Sequence, residues 1–172
     1  IQKIDTLTQS FYSFALYRLP WTDECTLVLQ RHDEAEALDD ITCLNGKSGF
    51  VIAPFHLSEK HPMVLIRPDA TATGWESIGN VLSYEVENAI LQPEKCHFTN
   101  QKVPLFENPL HKVPENYQES FERFIKPLQK KSFRKLVLSR SETHPLTKDF
   151  SPLIAFVKAC NNYPRMMIYL CH

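Results

Sequence analysis

Hydrophobic positions change their period several times along this chain, and each change predicts a different element. Ile1, Ile4, Leu7 and Phe11 fall near helical spacing, which predicts a short amphipathic helix over the first eleven residues. Ser13 to Arg18 reads as extended and rich in aromatics. Leu19-Pro20-Trp21-Thr22-Asp23 supplies turn chemistry, and Cys25 to Gln30 reads as a second strand, so the two runs predict a hairpin. The acidic stretch Asp33 to Asp40 predicts a solvated loop or helical turn. Two further strands are expected at Gly49 to Phe55 and Met63 to Arg67, with Pro54 and Pro62 punctuating their ends.

The second half is patterned differently. Residues 92–113 carry Pro93, Pro104 and Pro109 with little periodicity, which predicts a flexible connection. Pro114 opens a helix whose apolar stripe is Tyr117, Phe121, Phe124, Ile125 and Leu128, and Pro127 predicts a kink or an early end. A strand is expected from Phe133 to about Thr143. Ser151-Pro152 has the form of an N-cap followed by Pro at the first helical position. Leu153, Phe156, Val157 and Cys160 would form the buried face of that helix. Asn161-Asn162-Tyr163-Pro164 stops it, and Arg165 to Leu170 reads as a last strand. Strands first, then helix, strand, helix, strand, predict an α+β fold of antiparallel sheet layers flanked by helices. The last strand pattern ends almost at His172, and the chain opens on Ile1 rather than Met. The expectation is therefore a single incomplete domain over 1–172, a piece of a longer protein.

Composition narrows the function classes. Apolar residues make up 43% and charged residues 23%, enough for a globular core. A net charge of −1 gives no electrostatic case for nucleic acid as a partner. Only 4 glycines occur, and neither GxGxxG nor GxxxxGK[ST] can be read, so no phosphate-cradling loop is expected. No apolar run reaches the roughly 18 residues of a membrane span, so no membrane partner is expected. The 5 cysteines (Cys25, Cys43, Cys96, Cys160, Cys171) are odd in number and contain no CxxC pair, which fits free thiols in a reducing cytoplasm.

One residue stands out chemically. In the run Phe133-Arg134-Lys135-Leu136-Val137-Leu138-Ser139-Arg140, an extended chain puts Lys135, Val137 and Ser139 on one face and Leu136 and Leu138 on the other. A cation beginning a short apolar strand must be solvated, paired or chemically useful. To act as a general base near neutral pH, its pKa must fall by roughly three from ~10.4, which burial can achieve. The competing account is a strand-entry lysine reaching water, or one paired with a Glu.

The string Lys135 to Arg140 resembles the lysine-bearing strand of the chorismate-utilising enzymes, in the form Lys-Val-Val-Leu-[Ala/Ser]-Arg seen in isochorismate synthases, with Leu136 in place of one Val. Gly49 to Phe55 is similar to a Gly-Phe-hydrophobic-Ile-Ala-Pro-Phe segment in the N-terminal half of those enzymes. The resemblance implies that the chain is the N-terminal portion of the chorismate-utilising fold. It also implies chorismate as small-molecule substrate, Mg²⁺ as cofactor, and a product feeding menaquinone or siderophore synthesis. Lys135 would be the catalytic base that activates water for attack at C2, whereas aminating relatives usually carry glutamine there. The acid and the Mg²⁺ ligands of the family sit near a Gly-Ala-Thr-Pro-Glu signature, which this sequence lacks; they are expected C-terminal to it. No metal ligand is therefore assigned, and the chain alone is expected to be inactive. The alternatives are a salicylate synthase of the same family, or a non-catalytic binding module that retains the N-terminal layer.

Other constellations are weaker. The 7 histidines never fall into HxH or HExxH spacing, and Cys96-His97 has no third ligand nearby in sequence. Cys160 with His144 could form a thiol–imidazole site, but Cys160 lies on a helical apolar stripe and reads as core. Ser139 and Ser141 lack the glycines of a nucleophile elbow. Lys130, Lys131 and Arg134, before the Lys135 strand, read as a solvated helix end.

Overall fold

A computed structural model describes residues 2–8, 12–31, 34–91, 117–138, 147 and 149–172. The chain divides into two compact units, one formed by Ile1–Asn100 with Ser151–His172 and the other by Gln101–Phe150.

The first unit is built on an antiparallel sheet. Strands β1 (Ser13–Arg18) and β2 (Cys25–Gln30) form the hairpin expected from their pattern, with Ser13 opposite Gln30 and Arg18 opposite Cys25. Strand β6 (Ala70–Thr73) adds to the outer side of β2 and β7 (Ile168–Cys171) to the outer side of β1, giving the order β6-β2-β1-β7. A second antiparallel sheet contains β3 (Glu36–Leu38), β5 (Met63–Ile66) and β4 (Phe50–Ile52), with β5 in the centre. Between β3 and β4 a short 3₁₀ turn, Ile41–Leu44, is capped by Asp40, whose carboxylate accepts from the Thr42 N–H.

Period-2 alternation explains the layering. Phe14, Leu16, Leu27 and Leu29 leave the same face of the first sheet and pack with Ile4, Leu7, Ile78, Leu82, Leu153 and Phe156. Those partners come from α1 (Gln2–Leu7), α2 (Trp75–Leu91) and α4 (Pro152–Asn162), so helices cover this face. Each such Leu or Phe, essentially unexposed, contributes roughly 1.5–3 kcal/mol by burial. Ala15 and Val28 leave the other face and meet Ile66, with Tyr17, Phe50, Ile52 and Cys171 around them, so the second sheet lies against it. The result is a helix–sheet–sheet stack, α+β with antiparallel sheets as expected.

Helix α4 starts where the sequence says it should. Ser151 caps it by accepting from the Ile154 N–H. Asp5 of α1 reinforces the cap: its carboxylate accepts from Ser151 Oγ at 2.5 Å and from the Leu153 N–H at 3.0 Å. The first helix is thereby tied to the start of α4.

Two expectations differ from the structure here. Residues 36–38, within the acidic stretch read as loop or helical turn, pair as β3, with Leu38 buried against Met63 and Leu65. The segment from Ala70 to Leu91 holds β6 and α2, which the sequence pattern did not reveal. The flexible segment expected at 92–113 lies outside the described residues, as do Ile1 and Phe11 of the predicted first helix.

In the second unit, α3 (Tyr117–Gln129) carries the expected stripe and ends two residues after Pro127. None of its described side chains is buried, and Tyr117 and Phe121 stack on each other at its first turn.

Candidate functional site

Lys135 lies in the second unit, in a stretch with no strand pairing among the described residues. The expected alternation is present: Lys135 and Val137 are exposed, whereas Leu136 and Leu138 are half-buried. No strand is formed over 133–138, the described part of the expected 133–143 strand. An extended segment becomes a strand only through a ladder with a neighbour, and no described strand supplies one. Nothing among the described residues encloses the Lys135 amine. Ser139, Arg140, Glu142 and His144 fall outside the described residues, so the rest of the motif and the Cys160–His144 pairing have no geometry here.

The second motif segment has a clear physical basis in the first unit. Gly49 precedes β4 with φ +146, and a Cβ there would lie 2.2 Å from the Ile66 carbonyl oxygen. Only glycine lets β4 approach β5 this closely. Phe50 then turns its ring toward Tyr17 and Tyr169, at centroid distances of 5.3 and 6.0 Å. The segment ends in Phe55, which is 96% exposed. The Gly-Phe step is therefore accounted for by packing, with no catalytic role required.

The most organised polar feature is one that sequence reasoning missed. Arg18, the last residue of β1, is 4% exposed. Its guanidinium donates to the carbonyls of Leu19, Thr22 and Pro164 through Nη1, at 2.9, 3.2 and 3.2 Å. Through Nη2 it donates to Tyr163 and Met166 at 2.8 and 3.0 Å. It thus clamps the β1–β2 turn to the α4–β7 turn, and no carboxylate pairs with it among the described residues. Its buried Nε has no hydrogen-bond partner among the described residues. Outside the clamp, Arg165 sits over the Trp21 ring, 5.3 Å from its centroid. Beside the clamp is a cavity of about 110 Å³ lined by Arg18, Thr22, Cys25, Trp75, Cys160 and Pro164, among others. No sequence signal marks the clamp, because its acceptors are backbone carbonyls.

A second buried ionic group sits at the far end of β2. Glu85 of α2 is 2% exposed and accepts from Arg31 Nε at 2.9 Å and Nη2 at 2.8 Å. That carboxylate raises the Arg31 pKa above its ordinary value. Arg31 is held in turn by Asp69, whose carboxylate accepts from the Arg31 N–H and whose carbonyl accepts from Nη1. Gln30, fully buried, accepts from the Arg67 N–H and donates to the Glu34 carbonyl. These contacts tie β2 to α2 and to both ends of the Arg67–Asp69 turn. They read as structure.

No group of three or more His, Cys, Asp or Glu among the described residues could hold a metal ion. The described residues thus offer no Mg²⁺ site, and no chemistry is routed through one. No helix among them is long and apolar enough to cross a membrane. Comparisons with protein-family models, curated proteins and solved structures find no match to this chain.

Proposed function

We propose that this chain is the lysine-bearing portion of an isochorismate synthase acting in a reducing cytoplasm. The observation that carries the reading is the run Lys135-Leu136-Val137-Leu138-Ser139-Arg140, supported by the Gly49–Phe55 segment earlier in the chain. Lys135 is the base: its amine takes a proton from water, the water oxygen attacks C2 of chorismate, and the 4-hydroxyl departs. Water gained at C2 balances water lost at C4, so the reaction is an isomerisation. A water nucleophile needs a base in a way that ammonia does not, which is why lysine points to hydration rather than amination. The acid that protonates the leaving hydroxyl and the carboxylates that hold Mg²⁺ are not assigned to this chain, and the chain alone is inactive in this reading. A salicylate synthase would share Lys135 and add pyruvate elimination.

A binding module without turnover is the second reading, and one observation favours it: the Lys135 side chain is exposed, with no described group directing it. The two are separated by incubating the gene product that carries this chain with chorismate and Mg²⁺ and following isochorismate. Isochorismate without pyruvate supports the synthase, salicylate with pyruvate supports the salicylate enzyme, and binding without turnover supports the module.

A further inference from the structure

Cys25 and Cys160 lie far apart in sequence and meet in the first unit. Cys25 opens β2 and is 2% exposed, while Cys160 lies in the last turn of α4, half-buried and packed against the same core. Both line the 110 Å³ cavity beside Arg18. The other described cysteines are set apart from them: Cys43 is exposed in the 3₁₀ turn, and Cys171 packs on the opposite face of the sheet.

We propose that Cys25 and Cys160 form a reversible dithiol–disulfide site, closed by a hydroperoxide that reaches the pair through the Arg18 cavity. Cys160, the more accessible sulfur, attacks the peroxide oxygen first. The O–O bond breaks, the alcohol or water leaves, and Cys160 becomes a sulfenic acid. Cys25 sulfur then attacks Cys160 sulfur; the S–S bond forms, the S–O bond breaks, and hydroxide leaves with the Cys25 proton as water. Two thiols and one peroxide give one disulfide and two waters when the oxidant is hydrogen peroxide, the two sulfurs losing two electrons in all.

Several features favour this pair. Both residues line the same cavity, and Cys160 packs against the core cluster that contains Cys25, so the two side chains share one small space. The Arg18 guanidinium lines the same cavity. Burial, with the neighbouring Cys160, holds the Cys25 thiol up at about 11, which makes it the slow, resolving partner. Closure therefore accelerates as pH rises. Closing the bond pins the end of α4 to the start of β2, beside the turns that Arg18 already clamps together.

The test treats the folded chain with hydrogen peroxide, blocks remaining thiols by alkylation, and maps disulfides by peptide mass spectrometry without reduction. The expected result is one dominant linked pair, Cys25 with Cys160, with an intact mass lower by about 2 Da from two lost hydrogens and restored by dithiothreitol. The yield at a fixed short time should increase between pH 7 and pH 10, as the slow Cys25 thiol ionises on its way to about 11. Cys160→Ser should remove the link and leave Cys25 unmodified. Cys25→Ala should leave Cys160 as a sulfenic acid trapped by dimedone. The proposal is overturned if Cys160 in the unaltered chain proceeds to sulfinic acid without a link, if it stays unmodified, or if it pairs as often with Cys43 or Cys171.

Discussion

Replacing Arg18 by methionine tests whether the two turns at one end of the first sheet are held by a single side chain. Methionine keeps much of the apolar stem but removes all five hydrogen bonds to the carbonyls of Leu19, Thr22, Tyr163, Pro164 and Met166. At roughly 1 kcal/mol net per bond, the loss is bounded near ~5 kcal/mol. Two terms offset it: methionine carries no charge to desolvate, and it removes the buried Nε that has no hydrogen-bond partner among the described residues. Together they return ~1–3 kcal/mol, so the expected cost is about 3 kcal/mol. With a urea slope of ~2 kcal/mol/M, the midpoint should fall by about 1.5 M. The chain has 2 tryptophans, and both report on this region: Trp21 lies under Arg165 and Trp75 lines the neighbouring cavity. Urea titration followed by tryptophan fluorescence is therefore the assay. Arg18→Lys should recover less than half of the loss, because a point ammonium cannot reach acceptors spread around a planar fork. A midpoint shift below ~0.3 M for the methionine variant would refute the clamp. Full recovery by lysine would show that charge, rather than fork geometry, holds the turns.

The remaining predictions rest on other parts of the structure. Gly49→Ala must move β4 off β5, because its Cβ would meet the Ile66 carbonyl at 2.2 Å from a backbone at φ +146. The expected cost is ~2–4 kcal/mol, read as faster amide exchange in β4 and β5 and a lower Tm. Asp5→Ala removes a reinforcing acceptor at the start of α4 and should cost ~1–2 kcal/mol by urea titration, with helix content otherwise retained. Arg31→Ala leaves Glu85 buried without its ion-pair partner; about 3–5 kcal/mol should be lost, and Arg31→Ala with Glu85→Gln should recover part of it. Stability should also fall at alkaline pH. Burial raises the Cys25 and Cys171 thiols from 9.0 to about 11, so their unfolded forms ionise first. Their contribution is complete below pH 9 and is lost as pH rises toward 11, which thermal melts of the wild type against Cys25→Ala with Cys171→Ala would register.

Local signals predicted local structure well. The hairpin Ser13–Arg18 with Cys25–Gln30 and the capped helix Pro152–Asn162 match their patterns closely, because alternation, turn residues and an N-cap act within a few residues. Helix α2 escaped because its buried face includes Glu85, an acid whose partner Arg31 lies on a distant stretch, so the apolar stripe looks broken. Strand β6 escaped because Ala70, Thr71, Ala72 and Thr73 carry little apolar mass and depend on pairing with β2. Around Lys135 the alternation was legible and the ladder was not, since pairing is a property of a neighbour rather than of the segment. The Arg18 clamp and the cavity shared by Cys25 and Cys160 were invisible for the same reason: each joins the hairpin to residues near the far end of the chain.

The central claim is that Lys135 is the base of an isochorismate synthase. The most direct measurement is isochorismate formation from chorismate and Mg²⁺ by the gene product carrying this chain, beside its Lys135→Ala variant, with folding checked by circular dichroism. The account predicts turnover by the unaltered protein and a loss of roughly 10²–10⁴-fold in kcat for the variant, the range a general base supplies. Turnover that survives Lys135→Ala would contradict the base assignment. No isochorismate from the unaltered gene product would contradict the synthase itself.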